Sequence, residues 1–207
     1  MKDREASAMR EFLQASKYID WGHPDIVASA TALSQRSRDP IEIARSCFEF
    51  FRDEVRHSLD FQMNPVTCKA SDVLKYRTGY CYAKSHLLVA LLRANGIPAG
   101  LCYQRLIISS GHPSYRLHGL VAAYLEPYGW YRIDPRGNKT GVNSEFCPPI
   151  EKLAFMAAAE GEADLPEIWA EPLQPVVRVL ESYKNYVEVA DNLPDVQLIG
   201  ATGLRVQ

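Results

Sequence analysis

The chain has no apolar run long enough to cross a membrane. Its densest stretch, Leu87-Leu88-Val89-Ala90-Leu91-Leu92, falls far short of the ~20 residues a transmembrane helix needs. The first twenty residues, MKDREASAMREFLQASKYID, mix charges with short apolar patches and contain no continuous hydrophobic segment, so they do not read as a secretory signal. The expectation is a soluble, cytoplasmic protein with no membrane partner. An excess of charge of one sign is also missing. Lys and Arg total 23 against 25 Asp and Glu, a net charge of −2, so no strong field exists to recruit nucleic acid, and none is expected as a partner. Cysteine is sparse and unpatterned: Cys47, Cys68, Cys81, Cys102 and Cys147 are odd in number and include no C-x-x-C pair. That argues against a disulfide framework and against the common zinc sites; no metal and no cofactor is expected. No internal repeat or low-complexity tract is visible, which excludes solenoid architectures.

What is present suits one domain with its own core: 207 residues, 47% hydrophobic and 23% charged. Residues 4–15 and 25–35 read as helices. A third helix is signposted by Asp39 as N-cap, Pro40 in the first turn and Glu42 three after the cap, a pattern resembling a capping box. Ala44, Cys47, Phe48, Phe51 and Val55 follow at helical spacing and mark a buried face, which gives Cys47 a core role. Residues 58–67 read as a loop, Ser71 as the cap of a short helix over 72–76, and Thr78-Gly79 as a break. From Cys81 the pattern is helical again, with Leu87, Leu88, Leu91 and Leu92 in one stripe expected to face a sheet, and Asn95-Gly96 and Pro98 as stop signals. Strands are expected over 101–108, 117–125 and 130–133, with Cys102 in the core and Trp130 packed under the hairpin. Helices are expected again over 150–159, with a solvated charged face, and over 173–187. Helices, then a meander of strands, then helices argue for an α+β fold with an antiparallel sheet.

Cys81 stands at the first turn of a helix, where free backbone N–H groups and the helix dipole favour a thiolate. The same N–H groups suit an oxyanion formed when that thiolate attacks a carbonyl. None of the other cysteines has this placement. A nucleophilic cysteine needs a base and the base an orienting group. His118 opens one strand and Asp134 closes the next. Their even separation allows them to be directly opposed across an antiparallel hairpin with an odd-length loop. Spacing alone leaves other readings open: a structural histidine, a turn-forming aspartate before proline, a cysteine that merely starts a helix. His112, in a Gly- and Pro-flanked loop, is a rival base without a strand partner. His86 falls on another helix face and reads as packing or solvent-facing.

The stretches Arg77-Thr78-Gly79-Tyr80-Cys81-Tyr82-Ala83-Lys84-Ser85, Ala90 to Gly96 with Ile97-Pro98-Ala99, His118, and Gly129-Trp130-Tyr131-Arg132-Ile133-Asp134-Pro135 resemble the core of the transglutaminase-like superfamily. The family shows a G-x-C nucleophile motif, a leucine-rich helix, a G-I-P-A turn, a strand opening in His and a "gW…DP" strand. The resemblance covers about residues 40–140 in the right order. It implies a papain-like α+β core, a nucleophile helix packed on an antiparallel sheet, with Cys81 as nucleophile, His118 as base and Asp134 as orienter. The expected layout is a single domain over 1–207: N-terminal helices over 1–39, the core, and a C-terminal helical extension over 141–207. The family often has H-A-W or H-x-W at the histidine; this chain reads His118-Gly119-Leu120, without the Trp. Lys75 stands where papain-type enzymes carry Gln. Tyr80, Gln62 and Asn64 are the candidates for an oxyanion or substrate donor. There is no acidic loop like the calcium sites of animal transglutaminases.

The implied activity is cysteine-dependent acyl transfer through a thioester, on a peptide, a protein side-chain amide or a small amide. Water as acceptor makes a cysteine protease or amidase, the preferred reading; an amine makes a transglutaminase. Two alternatives stand beside it. One is a CoA-dependent acyltransferase of the arylamine N-acetyltransferase kind. The other is a non-catalytic binding module on the same fold.

Overall fold

Two proline-started helices open the chain. In the computed structural model, which describes residues 9–107 and 114–195 and the backbone of 204–205, they are α1 (Pro24–Ser34) and α2 (Pro40–Glu54). Asp39 caps α2 as expected, its carboxylate accepting from Ile41 N–H at 3.0 Å. The reciprocal half of a capping box does not form, because the Asp39 N–H donates to Ser37 Oγ instead. Ala44, Cys47, Phe48, Phe51 and Val55 are all buried. Residues 9–11 are helical and 12–13 a turn, while residues 1–8 of the expected first helix lie outside the described residues.

The chain then forms β1 (Arg56–His57), α3 (Ala70–Tyr76) and β2 (Thr78–Gly79). The expected break at Thr78-Gly79 is a short strand that pairs in parallel with β1. Helix α3 starts earlier than expected, after Lys69, which makes no side-chain cap. Ser71 is no cap either: its hydroxyl donates to Asp20 Oδ2 at 2.5 Å, pinning α3 to the segment before α1.

Helix α4 (Cys81–Ala94) is the centre of the molecule. Every residue from Cys81 to Arg93 is buried, between helices α1–α3 on one side and the sheet on the other. The leucine stripe is therefore not a single sheet-facing edge. A helix enclosed all round has no solvent side to make its pattern one-sided. His86 shares this enclosure and is not solvent-facing; its Nδ1 meets the Cys68 carbonyl at 2.7 Å.

The sheet has the order β5-β4-β3-β8 and is antiparallel throughout, from β3 (Ala99–Ile107), β4 (Tyr115–Leu125), β5 (Gly129–Ile133) and β8 (Ala163–Asp164). Trp130 packs on its outer side against Phe12, with ring centroids 4.8 Å apart, and Cys102 is buried there beside Leu120. The mixed architecture, with the helix that begins at Cys81 packed on an antiparallel sheet, is the expected one.

The segment after the sheet departs from expectation. Residues 150–159 are not a helix. They form β7 (Ile150–Lys152), paired with β6 (Glu145–Cys147), and then irregular chain. A short β9 (Glu167–Ile168) follows β8. The helix expected over 173–187 is two helices, α5 (Gln174–Ser182) and α6 (Tyr186–Asp191), because Asn185 breaks the run and caps α6 by accepting from Glu188 N–H. The extension over 141–207 is thus helical only in α5 and α6 among the described residues. Leu204 and Arg205 (β10) pair with β9. No helix among the described residues is long and apolar enough to cross a membrane.

Candidate active site

Cys81 is the first residue of α4, after Tyr80, whose extended backbone ends β2's turn. The first intrahelical bond runs from Lys84 N–H to the Tyr80 carbonyl at 2.8 Å, so the N–H groups of residues 81–83 have no acceptor within the helix. Strand β4 crosses this helix start closely enough that a Cβ at Gly119 would lie 2.9 Å from Tyr82 Cδ1 and 3.2 Å from Tyr82 Cα. Glycine lets the backbone approach, and Gly119 N–H donates to Cys81 Sγ at 3.4 Å. Gly119 is thus a packing requirement of this chain.

His118, one residue before, turns its ring toward the same place. Its Nε2 meets Asp134 Oδ2 at 2.8 Å. That leaves Nδ1 as the ring nitrogen not engaged by Asp134, and Cys81 acts electrostatically on the ring. The expected direct opposition of 118 and 134 does not occur. Register pairs Val121 with Ile133, and the ladder ends there, so Asp134 follows the strand and reaches His118 diagonally. The even separation kept both on one face; the two-residue offset comes from the short loop between Leu125 and Gly129.

Asp134 is buried and accepts two further hydrogen bonds, from Arg136 N–H at 3.0 Å and Ala154 N–H at 3.1 Å. Ala154 lies in the segment expected to be helical. Its neighbour Phe155 stands edge-on to the His118 ring, centroids 5.0 Å apart and planes at 90°. Burial alone would lower the pKa of His118, but the Asp134 carboxylate, and next Cys81, raise it more, to about 10. Burial pushes the thiols of Cys47, Cys68 and Cys102 up to about 12.

Cys81 and His118 open onto a cleft of about 670 Å³, walled also by His57, Tyr82, Arg116 and Phe155. Tyr80 lines it too, but its hydroxyl donates to the Tyr186 carbonyl and is not free to act on a substrate. Gln62 and Asn64 are not among the cleft-lining residues. Gln62 is exposed in a left-handed turn, and Asn64 Oδ1 accepts from Tyr186 N–H at 3.0 Å. The rival base His112 lies outside the described residues.

Sequence reasoning missed Gly119, Ala154, Phe155, His57 and Lys84. Gly119 carried a signal, since a glycine beside the histidine invites close backbone approach. Lys84 is fully buried one turn after Cys81. Its ammonium donates to the Val55 carbonyl and lies 4.9 Å from the Phe51 ring, and burial followed by Arg136 lowers its pKa to about 7.

A family model described as the transglutaminase-like superfamily matches residues 28–135. The chain belongs to the transglutaminase-like superfamily. A solved structure from Cytophaga hutchinsonii, provisionally described as a cysteine protease, shares the superfamily fold at 22% identity and a TM-score of 0.50, over 62% of this chain and 42% of that one. The periplasmic domain of TgpA from Pseudomonas aeruginosa is 24% identical over 60% of this chain and 45% of its own, with a TM-score of 0.45. Red sea bream transglutaminase is 13% identical over 56% of this chain and 27% of its own, with a TM-score of 0.44. This chain therefore spans less than half the length of these superfamily structures. No curated protein sequence matches it.

Proposed function

We propose that the protein is a cysteine-dependent acyl-transfer enzyme with Cys81, His118 and Asp134 as its triad. The observation that carries this reading is the buried 2.8 Å contact of His118 Nε2 with Asp134, with Cys81, at a helix start, lining the same cleft as His118. The Cys81 thiolate attacks an amide carbonyl, and the carbonyl π electrons move to oxygen. The free N–H groups at the start of α4 are the donors available to that oxyanion, since Tyr80 is already engaged. As the tetrahedral intermediate collapses, the C–N bond breaks. Imidazolium His118 gives its proton to the leaving amine, and a thioester remains on Cys81. Neutral His118 then takes a proton from the acceptor, which attacks the thioester and releases the product and the Cys81 thiolate. Asp134 holds the ring and stabilises the imidazolium. Water as acceptor makes the protein an amidase or protease, the reading preferred here; an amine makes it a transglutaminase. The substrate class is an amide: peptide, protein side chain or small molecule.

Limited labelling with iodoacetamide at neutral pH, followed by peptide mapping, tests the nucleophile. Cys81 should be modified before Cys47, Cys68 and Cys102, whose buried thiols are held in the protonated form. A fluorogenic peptide library, run with and without a primary amine, then separates hydrolysis from transfer. Labelling of another cysteine first, or no turnover in either arm, would count against the reading.

A further inference from the structure

Three arginines sit on the central sheet strands, and their partners differ. Arg105 of β3 holds Asp195 with two bonds of 2.7 and 2.8 Å. Arg132 of β5 holds Glu151 and Asp164. Arg116 of β4 has no carboxylate partner among the described residues. Among the described residues its guanidinium makes one hydrogen bond, from Nη1 to the carbonyl of its neighbour Tyr115 at 2.9 Å. The side chain is half-buried and lines the cleft. It stands two residues before His118, hence on the same face of the strand and roughly 7 Å away along it.

The other charges of the cleft are spoken for. Arg136 and Lys139 share Asp60, two cations on one carboxylate. Glu162, the acidic residue of the lining, uses one oxygen for Ile107 N–H and the other for the N–H groups of Ala158 and Ala159. Among the described residues, one guanidinium of the cleft therefore has most of its donors unassigned. A guanidinium presents five N–H donors in a planar fork that matches a carboxylate. Leaving it half-desolvated without a partner is costly, and a bound carboxylate would remove that cost.

We infer that Arg116 is a substrate-binding residue and that the substrate is acidic, an amide carrying a carboxylate near the scissile bond. The inference rests on the reading of Cys81 as nucleophile. A neutral substrate of the same shape would leave Arg116 unpaired and bind less well.

Two aromatic disulfides test this without knowledge of the natural substrate: the dianion 5,5′-dithiobis(2-nitrobenzoate) and the neutral 4,4′-dithiodipyridine. In both, the Cys81 thiolate attacks one sulfur, the reagent's S–S bond breaks, a mixed disulfide forms and an aryl thiolate or pyridinethione leaves and is read by absorbance. The protein carries Cys147→Ser, so that the half-exposed thiol does not contribute. The readout is the ratio of the dianion's rate to the neutral reagent's. In Arg116→Gln this ratio should fall about fivefold or more, and Arg116→Lys should restore part of it. Raising the ionic strength should lower the ratio in the unsubstituted protein more than in Arg116→Gln. A ratio unchanged within twofold in Arg116→Gln, or a salt response equal in both proteins, overturns the inference while Cys81 remains the nucleophile. If neither reagent modifies Cys81 ahead of the buried cysteines, the reading of Cys81 itself fails, and the inference with it.

Discussion

Two buried histidines line the cleft, each with an aspartate close by, and they end in opposite protonation states. His118 touches Asp134 at 2.8 Å, and the other partners of Asp134 are backbone N–H groups. His57 Nδ1 stands 3.9 Å from Asp60, whose oxygens are taken by Arg136 and Lys139, and that nitrogen has no hydrogen-bond partner among the described residues. Burial disfavours the charged form of both rings. At His118 the carboxylate and Cys81 outweigh it, and the pKa rises to about 10. At His57 the Arg136 cation adds to burial, and the pKa falls well below 6.5. The same residue pair thus makes an imidazolium on one wall and a neutral ring on the other. What differs is who else holds the carboxylate: peptide dipoles leave its charge available to the ring, and two cations do not.

The largest effect should come from making the His118 wall resemble the other. Asp134→Asn keeps the size of the side chain and an oxygen for a backbone N–H, so the variant should fold. Turnover should fall roughly 10²–10³-fold, because the amide favours the wrong tautomer and cannot stabilise the imidazolium. Steady-state kinetics on any substrate found, with circular dichroism as the fold control, measures this. A folded, fully active variant would remove Asp134 from the site.

Lys84 sharpens the comparison because it is a third buried base in the same network. Its folded-state pKa of about 7 lies below the ordinary 10.5, so the unfolded chain binds more protons between those values. Its contribution to stability therefore rises with pH from 7 to 10.5, by up to ~4 kcal/mol. His118 runs the other way: its value of about 10 lies above 6.5, so its stabilisation is complete below 6.5 and is lost as pH climbs to 10. The two slopes oppose each other. In Lys84→Met the thermal midpoint should fall from pH 7 to 10, and in Asp134→Asn it should rise over the same window. Parallel slopes in the two variants would contradict the assignment of opposite shifts.

Gly119→Ala attacks the close approach that brings β4 to Cys81. Its new Cβ would press on Tyr82 backbone and ring atoms, and the expected loss is ~1–3 kcal/mol of stability, with slower Cys81 labelling as the N–H leaves the sulfur. Denaturant titration checks the first and mass mapping the second. The smallest effect is expected from Arg136→Gln. Removing the cation should move the His57 pKa upward toward 6.5 with little change at His118, whose support includes the Arg136 backbone N–H and not its guanidinium. A proton NMR titration of the histidines follows it; a His57 that does not move would place the burden on burial alone.

Much of the frame was legible from residues alone. Asp39-Pro40 announces α2, Asn95-Gly96 and Pro98 end α4, and the alternation and turns after Leu101 announce the three long strands, because these signals are local. The pairing of His118 with Asp134 was legible to within its parity, since side chains alternate along a strand whatever the register. The stretch after Asn138 was not. Residues 150–159 carry helix-forming residues such as Leu153, Ala154 and Met156, yet the chain there is held extended by contacts remote in sequence. Arg132 grips Glu151, Tyr131 donates to the Ile150 carbonyl, and Asp134 accepts from Ala154. Tertiary partners overrode local propensity.

The sequence by itself determined the family, the central helix that begins at Cys81, and the face on which His118 and Asp134 meet, because each follows from periodicity, capping or motif over short spans. Only the tertiary structure decided which buried base is charged. His57 with Asp60 and His118 with Asp134 are the same two residue types. Their difference is made by Arg136, whose guanidinium goes to Asp60 and whose N–H goes to Asp134. Charge interactions depend on distance and burial, and neither is written in the order of residues.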